Sequence, residues 1–331
     1  MKDYFSGKKI LVTGGTGSIG SEIVRQVIKY EPSVIRVFSN DEDAQFNLSQ
    51  KYGSKGKVRF LFGDIRDEER LKWAMDSIDI VFHAAALKHV PACEFDPFEA
   101  VKTNVIGTQN VIKEALFQNV GKVINISTDK AVNPINVMGA TKLLAERITI
   151  SSNNYKGLGR TAFACVRFGN VLASRGSVVP IFLDQIKRGG PVTVTDPNMT
   201  RFIMSIAQSV ELILNAAVGS KGGEIFILKM PAVKVGVLAE AMIEMLAGRY
   251  GHDPKKIEIK EIGMRSGEKF HEELMTHIEM TNAVDDGKMY TILPGMLDKK
   301  SSSPSADYNS ASAEQLNKSE IIKTLGDLLP A

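Results

Sequence analysis

The segment "KKILVTGGTGSIGSEI", residues 8–23, constrains the fold more than any other. A short β-rich run passes through a glycine-rich loop directly into a helix carrying Ile19, Ile23 and Val27 on one face. The loop fits Gly14-x-x-Gly17-x-x-Gly20 and also Gly15-x-Gly17-x-x-Gly20. That spacing allows a tight turn and lets backbone amides at the helix N-terminus approach a pyrophosphate.

The same alternation continues downstream. "SVIRVF", "KVRFLFGD", "DIVFHAAA" and "GKVINIST" are β-rich runs bounded by Gly, Asp or Lys and separated by helical stretches. Alternating strands and helices imply crossover units and a parallel sheet covered on both faces. A helix is expected from Pro97, with Asp96 as cap and Glu99 closing a capping box. Its Val101, Val105, Ile112 and Leu116 repeat at helical spacing, so it is expected to dock on the sheet. Further on, "SIAQSVELILNAA" and "VGVLAEAMIEMLAGRYG" read as helices and "GEIFILKM" as a strand. "SSSPSADYNSA", residues 301–311, reads as a polar linker before a short terminal helix near "AEQLNKSEIIKTL". The expected fold class is α/β: a Rossmann-like, doubly wound parallel sheet with a smaller mixed α/β substrate-binding lobe. Residues 1–170 plus 201–230 are assigned to the dinucleotide-binding domain, 171–200 plus 231–300 to the lobe, and 301–331 to linker and C-terminal helix.

The totals exclude several classes. Across 331 residues, 41 Lys+Arg face 38 Asp+Glu, for a net charge of +3, which gives no reason to invoke nucleic acid or an anionic membrane. Two cysteines, Cys93 and Cys165, make no disulfide framework, and Cys165 in "TAFACVRF" reads as a small buried hydrophobe. His83, His89, His252, His271 and His277 are scattered, so no metal site is expected. No apolar run reaches the length of a membrane span and "MKDYFSGKK" is no secretory signal, so a cytoplasmic location is the default.

Cofactor chemistry can be read further. An acidic residue about twenty positions past the glycines favours the free ribose hydroxyls of NAD, and Asp41 stands there. Ser39, first after the apolar run "VIRVF", leaves room for the 2′-phosphate of NADP. The residues alone leave both open. Asp64 in "FGDIRD" is offered to the adenine, and the small side chains of Ala84, Ala85 and Ala86 let a cofactor lie against the fourth strand. "GKVINIST" then delivers Ser127, Thr128, Asp129 and Lys130 at the C-terminal edge of the sheet, where open parallel sheets bind ligands.

Together, "TGGTGSIGSEI", "HAAALKHVPACE", "VKTNVIGTQNV", "STDKAVNPINVMGATK", "RFGNVLASRGSVVP", "TDPNMTRF" and "RSGEK" resemble the UDP-N-acetylglucosamine 4,6-dehydratases of bacterial polysaccharide and nonulosonic (pseudaminic) acid pathways. These belong to the extended short-chain dehydrogenase/reductase superfamily, in which a helix carries Tyr-x-x-x-Lys. Here the tyrosine position is Met138 and the lysine is Lys142. The resemblance implies Lys130 as base at C5, Asp129 as acid at C6, Lys142 on the nicotinamide ribose, and Thr128, Lys142 or a water as outlet for the C4 hydroxyl proton. Met138 has no proton to exchange and reads as core-facing. Lys130 is expected to be pushed down by burial and by Lys142, and Asp129 to keep a proton in an apolar pocket.

On the same grounds Thr16, Ser18 and Ile19 join the glycines around the cofactor, with Asn40 and Ile65 near its adenosine end and Asn104, Ser127 and Val171 near its nicotinamide end. Lys88 and Asn170 are expected at the sugar. Arg201 and Arg265 are expected on the UDP phosphates and Glu268 on the uridine ribose, with Arg175, Ser177 and Thr195 beside them. The resemblance leans to NADP, although related members carry arginine where this chain has Asn40, which keeps NAD open. It implies UDP-N-acetylglucosamine as substrate, a hydro-lyase reaction of undetermined C5 stereochemistry, and a homo-oligomer, hexamer or dimer. The competing expectations are a UDP-sugar 4-epimerase or reductase, which would rely on the tyrosine, and a non-catalytic nucleotide-sensing protein.

Overall fold

The computed structural model describes residues 1–53, 56–157, 159–295, 308–326 and 328. Its strands are β1 (Lys9–Thr13), β2 (Val34–Ser39), β3 (Val58–Phe62), β4 (Ile80–His83), β5 (Lys122–Ile126), β6 (Ala162–Arg167) and β7 (Asn170–Val171). They are followed by β8 (Val192–Val194), β9 (Thr200–Met204), β10 (Ile225–Leu228), β11 (Ala232–Lys234), β12 (Ile259–Glu261), β13 (Ala283–Asp285) and β14 (Met289–Ile292).

One nine-stranded sheet has the order β3-β2-β1-β4-β5-β6-β10-β14-β13. From β3 to β10 every pairing is parallel, and the β13–β14 hairpin closes the edge antiparallel. Both faces are buried because successive side chains point to opposite sides. Ile10 and Val12 of β1 enter one core while Leu11 enters the other, and Ile80, Phe82 and Val81 of β4 divide in the same way. The order reverses between β1 and β4, which opens a crevice at the strands' carboxyl ends.

A second core belongs to the smaller lobe. Phe182 and Ile186 of the helix Val178–Lys187 and Leu238, Met242 and Leu246 of the helix Val235–Leu246 pack there. Ile321 and Leu325 of the terminal helix Lys318–Gly326 cap it. Two small sheets complete the lobe, β11-β9-β7 and β12-β8.

Strand membership differs from the sequence division in two places. Residues 283–292, assigned to the lobe, hydrogen-bond into the large sheet, and β9, assigned to the large domain, pairs with β7 and β11. Of the expected linker, 301–307 lies outside the described residues.

The helix from Pro97 also differs. It runs as α-helix over Pro97–Val101, as π-helix over Lys102–Ile106, and as α-helix again over Gly107–Phe117. Asp96 caps it, but the Glu99 carboxylate binds Arg66 and Lys102 rather than closing the box. The π-turn shifts the helical phase, so Val101 is 42% exposed while Val105 and Ile112 are buried.

Candidate active site

The glycine loop is built as a cradle. Gly14 has φ +62°, and a Cβ there would meet Ala85 Cα and N at 2.7 Å. Only glycine lets β1 pass that close to the chain leaving β4. Ala85 therefore serves packing, whereas Ala84 and Ala86 line the crevice with Gly14, Gly17, Ser18, Ile19 and Gly20. Thr16 lies under the loop, its hydroxyl 2.8 Å from Ser39 Oγ. The crevice holds a cavity of about 660 Å³ that runs past Ser127, Thr128, Lys130, Met138 and Lys142 to Thr195 and Arg201 in the lobe. A smaller cavity of about 150 Å³, shared by Lys130, Asn170, Arg201, Arg265, Glu268 and Glu272, adjoins it.

At the far end of the cradle, Asn40 Nδ2 donates to Asp64 Oδ2 at 2.9 Å, and Arg66 clamps the same carboxylate. Burial alone would raise the Asp64 carboxyl, but Arg66 and Asn40 hold it below its usual range. Asp41 caps the next helix through Ala44 N at 2.9 Å, and its other oxygen lies 3.6 Å from Arg175 Nη1. Arg175, expected on the substrate, is thus drawn to the residue that caps the helix after β2. Its amide donates to Ser18 Oγ at 3.1 Å and its carbonyl accepts from Lys88 Nζ at 2.6 Å. Two residues expected at the cofactor are occupied by the protein itself. Asn104 is 1% exposed and spends its amide on both backbone groups of Leu87 and on Thr141. Ile65 is buried against Gly107.

At the centre, β5 ends on Thr128–Asp129–Lys130. Asp129 is fully buried, and its Oδ1 accepts from Thr128 Oγ1 and from Lys130 Nζ, both at 2.9 Å. The helix Val137–Ser151 presses on this turn: a Cβ on Gly139 would lie 2.2 Å from the Lys130 carbonyl oxygen. Asn136 caps that helix at Gly139 N. Met138 is buried with Cys93 and Ala100 while touching the cavity wall. One turn on, Lys142 Nζ donates to Ile126 O at 2.5 Å. Burial pushes the Lys142 ammonium down against the pull of Glu146.

The expectation for Lys130 is overturned. Burial would depress its ammonium, but Asp129 and then Glu272 hold it up at about 12, and the positive neighbour that opposes them is Arg201, not Lys142. Nor is the Asp129 pocket apolar, because its Oδ1 takes two donors.

Sequence reading missed Glu272. It is 3% exposed, with Oε1 3.4 Å from Lys130 Nζ and 3.9 Å from Arg201 Nε. Two ties fix its segment to the Asp129–Lys130 turn: Lys269 Nζ to Val132 O at 2.5 Å and Asn136 Nδ2 to Gly267 O at 2.7 Å. The signal available was a second carboxylate inside "EKFHEEL", just past the quoted "RSGEK". Among the described residues, Ser127 Oγ, Asp129 Oδ2, Asn170 Oδ1, Ser177 Oγ and Glu272 Oε2 are buried oxygens without a hydrogen-bond partner. Buried polar atoms are normally satisfied, so their gathering here marks a place built for a polar ligand. Thr195 gives its hydroxyl to Met199 Sδ at 3.2 Å, and Val171 lines the large cavity.

Known proteins resemble this chain over nearly its whole length. The profile of a family described as polysaccharide biosynthesis protein matches residues 10–294. A Methanocaldococcus jannaschii protein named an uncharacterized membrane protein is 56% identical over 99% of this chain and 98% of its own length. In this chain no helix among the described residues is long and apolar enough to cross a membrane. A Rickettsia felis protein named UDP-glucose 4-epimerase is 40% identical over 98% of this chain and 97% of its own. The X-ray structure of Pen from Bacillus thuringiensis superposes with a TM-score of 0.94 at 45% identity, covering 99% and 100% of the two chains.

Proposed function

The chain belongs to the polysaccharide biosynthesis protein family, and from that premise we propose that it is a nucleotide-sugar 4,6-dehydratase acting on UDP-N-acetylglucosamine. The observation that carries this reading is the Asp129–Lys130 couple, with Lys130 on the cavity wall and the buried Asp129 Oδ1 2.9 Å from its Nζ, beside a helix whose usual tyrosine is Met138.

The cofactor is a nicotinamide dinucleotide, for which the glycine cradle, Ser18, Ala84, Ala86 and Lys142 are the holding residues. Held there, a nicotinamide would supply hydride acceptance at C4 of the sugar and hydride donation at C6. Two side chains supply the rest. Transfer of one proton from Lys130 Nζ to Asp129 Oδ1 turns the resting ion pair into a neutral amine beside a protonated acid. The amine removes the C5 proton, which the C4 ketone has made acidic. The C5–H electron pair forms the C5–C6 double bond as the C6–O bond breaks, and Asp129 protonates the departing hydroxyl to water. Lys130 then returns its proton to C5. Positioned groups of this kind each contribute about 10²–10⁴-fold. Met138 carries no exchangeable proton, so the C4 hydroxyl proton leaves through Thr128, Lys142 or a water.

UDP is held by Arg201 and Arg265 on its phosphates and Glu268 on its ribose. NADP is the preferred dinucleotide. Supporting it, Arg175 and Lys51 line the cleft beside Thr16, Ser21 and Asp43 at the end of β2, where a 2′-phosphate would lie.

A second reading, a UDP-sugar 4-epimerase, is favoured by the name of the Rickettsia felis relative. Incubation with UDP-N-acetylglucosamine separates the two. A product lighter by about 18 mass units, one water, supports the dehydratase. An unchanged mass with inversion at C4 supports the epimerase.

A further inference from the structure

Glu272 has no part in the reaction as written, yet it is the second carboxylate in contact with its base. We propose that Glu272 is a positioning residue whose charge holds Lys130 as an ammonium, and so sets the pH at which Lys130 becomes an amine able to take a proton.

The geometry gathers opposite charges around Lys130 and Glu272. Lys130 Nζ lies 2.9 Å from Asp129 Oδ1 and 3.4 Å from Glu272 Oε1, and Arg201 Nε lies 3.9 Å from the same Glu272 oxygen. Asp129 and Lys130 come from the turn after β5, Arg201 from β9, and Glu272 from the segment that also carries Lys269. Lys130, Asp129, Arg201 and Lys269 are the charged groups that face Glu272. The neighbouring His271 is turned away, its Nδ1 2.7 Å from Thr200 Oγ1. Backbone fixes Glu272 in place: its amide donates to Ser310 Oγ and its carbonyl accepts from Ser310 N, both at 2.8 Å. Its Oε2 is buried without a partner, and the residue borders the smaller cavity.

Opposite charges within this distance favour the ionised form of both. With Glu272 ionised, a neutral Lys130 would leave Arg201 as the nearest cation to two carboxylates. With Glu272 neutral, Asp129 alone opposes loss of the Lys130 proton. Burial raises the Glu272 carboxyl and Lys130 lowers it, so the neutral form of Glu272 is reached more readily than for an exposed glutamate.

The role in catalysis rests on the dehydratase reading; the charge relation does not, and the test separates them. Acetic anhydride modifies neutral amines, so the rate at which Lys130 is acetylated across pH, followed by peptide mass spectrometry, reports its amine fraction. In Glu272→Gln the profile moves down by about 1–3 pH units, which at fixed pH is about 10- to 1,000-fold faster acetylation. Glu272→Asp keeps the wild-type profile more nearly. Arg201→Gln, which removes the opposing cation, moves the profile up, so the inference remains exposed to test should Glu272→Gln fail to fold. In the same samples the pH midpoint for deuterium exchange at C5 of UDP-N-acetylglucosamine follows the acetylation midpoint. Profiles that stay put in both Glu272→Gln and Arg201→Gln overturn the inference, whatever the enzyme does to the sugar. Shifted profiles with no dehydration overturn the reaction and leave the charge relation standing.

Discussion

Met138 and Lys142 lie one turn apart on the helix Val137–Ser151 and serve opposite environments. The Met138 thioether is buried with Cys93 and Ala100, while the Lys142 ammonium reaches across to the carbonyl of Ile126 at the end of β5. The position that carries a phenol elsewhere is here part of a small apolar cluster. Met138→Leu should keep turnover within several-fold and cost less than about 1.5 kcal/mol of stability, because it conserves volume and removes no proton carrier. Steady-state rates and a urea melt check both; a loss of a hundred-fold or more would mean that the thioether does chemistry.

Arg167 is 1% exposed and lies between two carboxylates, 2.6 Å from Glu146 and 2.8 Å from Glu279. Arg167→Met would strip Glu146 of its buried ion pair and leave Glu279 only the exposed Arg147, 3.6 Å away, at a cost of about 3–5 kcal/mol. Urea unfolding should show the loss. Glu146 sits one turn beyond Lys142 on the same helix, so dinucleotide binding should weaken as well.

His83 is buried between two hydroxyls, with Nδ1 2.7 Å from Thr13 Oγ1 and Nε2 3.0 Å from Thr108 Oγ1. Thr108 gives its own proton to Asn104 O at 2.7 Å, so it accepts from Nε2–H, and the ring is the neutral Nε2–H tautomer. Burial, with Lys142 adding to it, lowers the ring's pKa to about 3 from 6.5. The unfolded chain then binds the extra proton between those values, so the contribution is complete above pH 6.5 and is lost as pH falls. Stability should drop by up to roughly 1.4 kcal/mol per pH unit across the window. His83→Gln should flatten that part of the stability–pH curve, measured by urea melts.

Arg175 meets Asp41 at the end of β2. Arg175→Ala should weaken NADP binding by about ten-fold or more, the worth of a charge-assisted hydrogen bond, and leave NAD binding nearly unchanged. Fluorescence titration with each dinucleotide decides it. Equal losses for both would take Arg175 off the 2′-phosphate, and no loss for either would return it to the substrate.

Much of this was legible before any coordinates. The glycine loop, the β–α alternation and the delivery of Asp129 and Lys130 by β5 follow from local periodicity and turn chemistry. What escaped depends on contacts distant in sequence. β7 has two residues and β11 three, too few to display a period, and only the β9 partner makes them strands. The π-turn at Lys102–Ile106 is invisible because helical spacing tolerates one phase slip. Glu272 reaches Lys130 through the anchors at Val132 and Gly267, which no spacing rule foretells. The sign of the Lys130 shift failed with it, since the dominant neighbour after Asp129 was missing.

The central claim is that an amine–carboxyl couple completes elimination without a tyrosine. Run in deuterated water with UDP-N-acetylglucosamine, the wild-type protein should yield a 4-keto-6-deoxy sugar with deuterium at C5 by NMR. Lys130→Ala should bind the dinucleotide as before and give neither product nor label. Full C5 labelling and water loss in Lys130→Ala, or a wild-type product altered only at C4, would contradict the account.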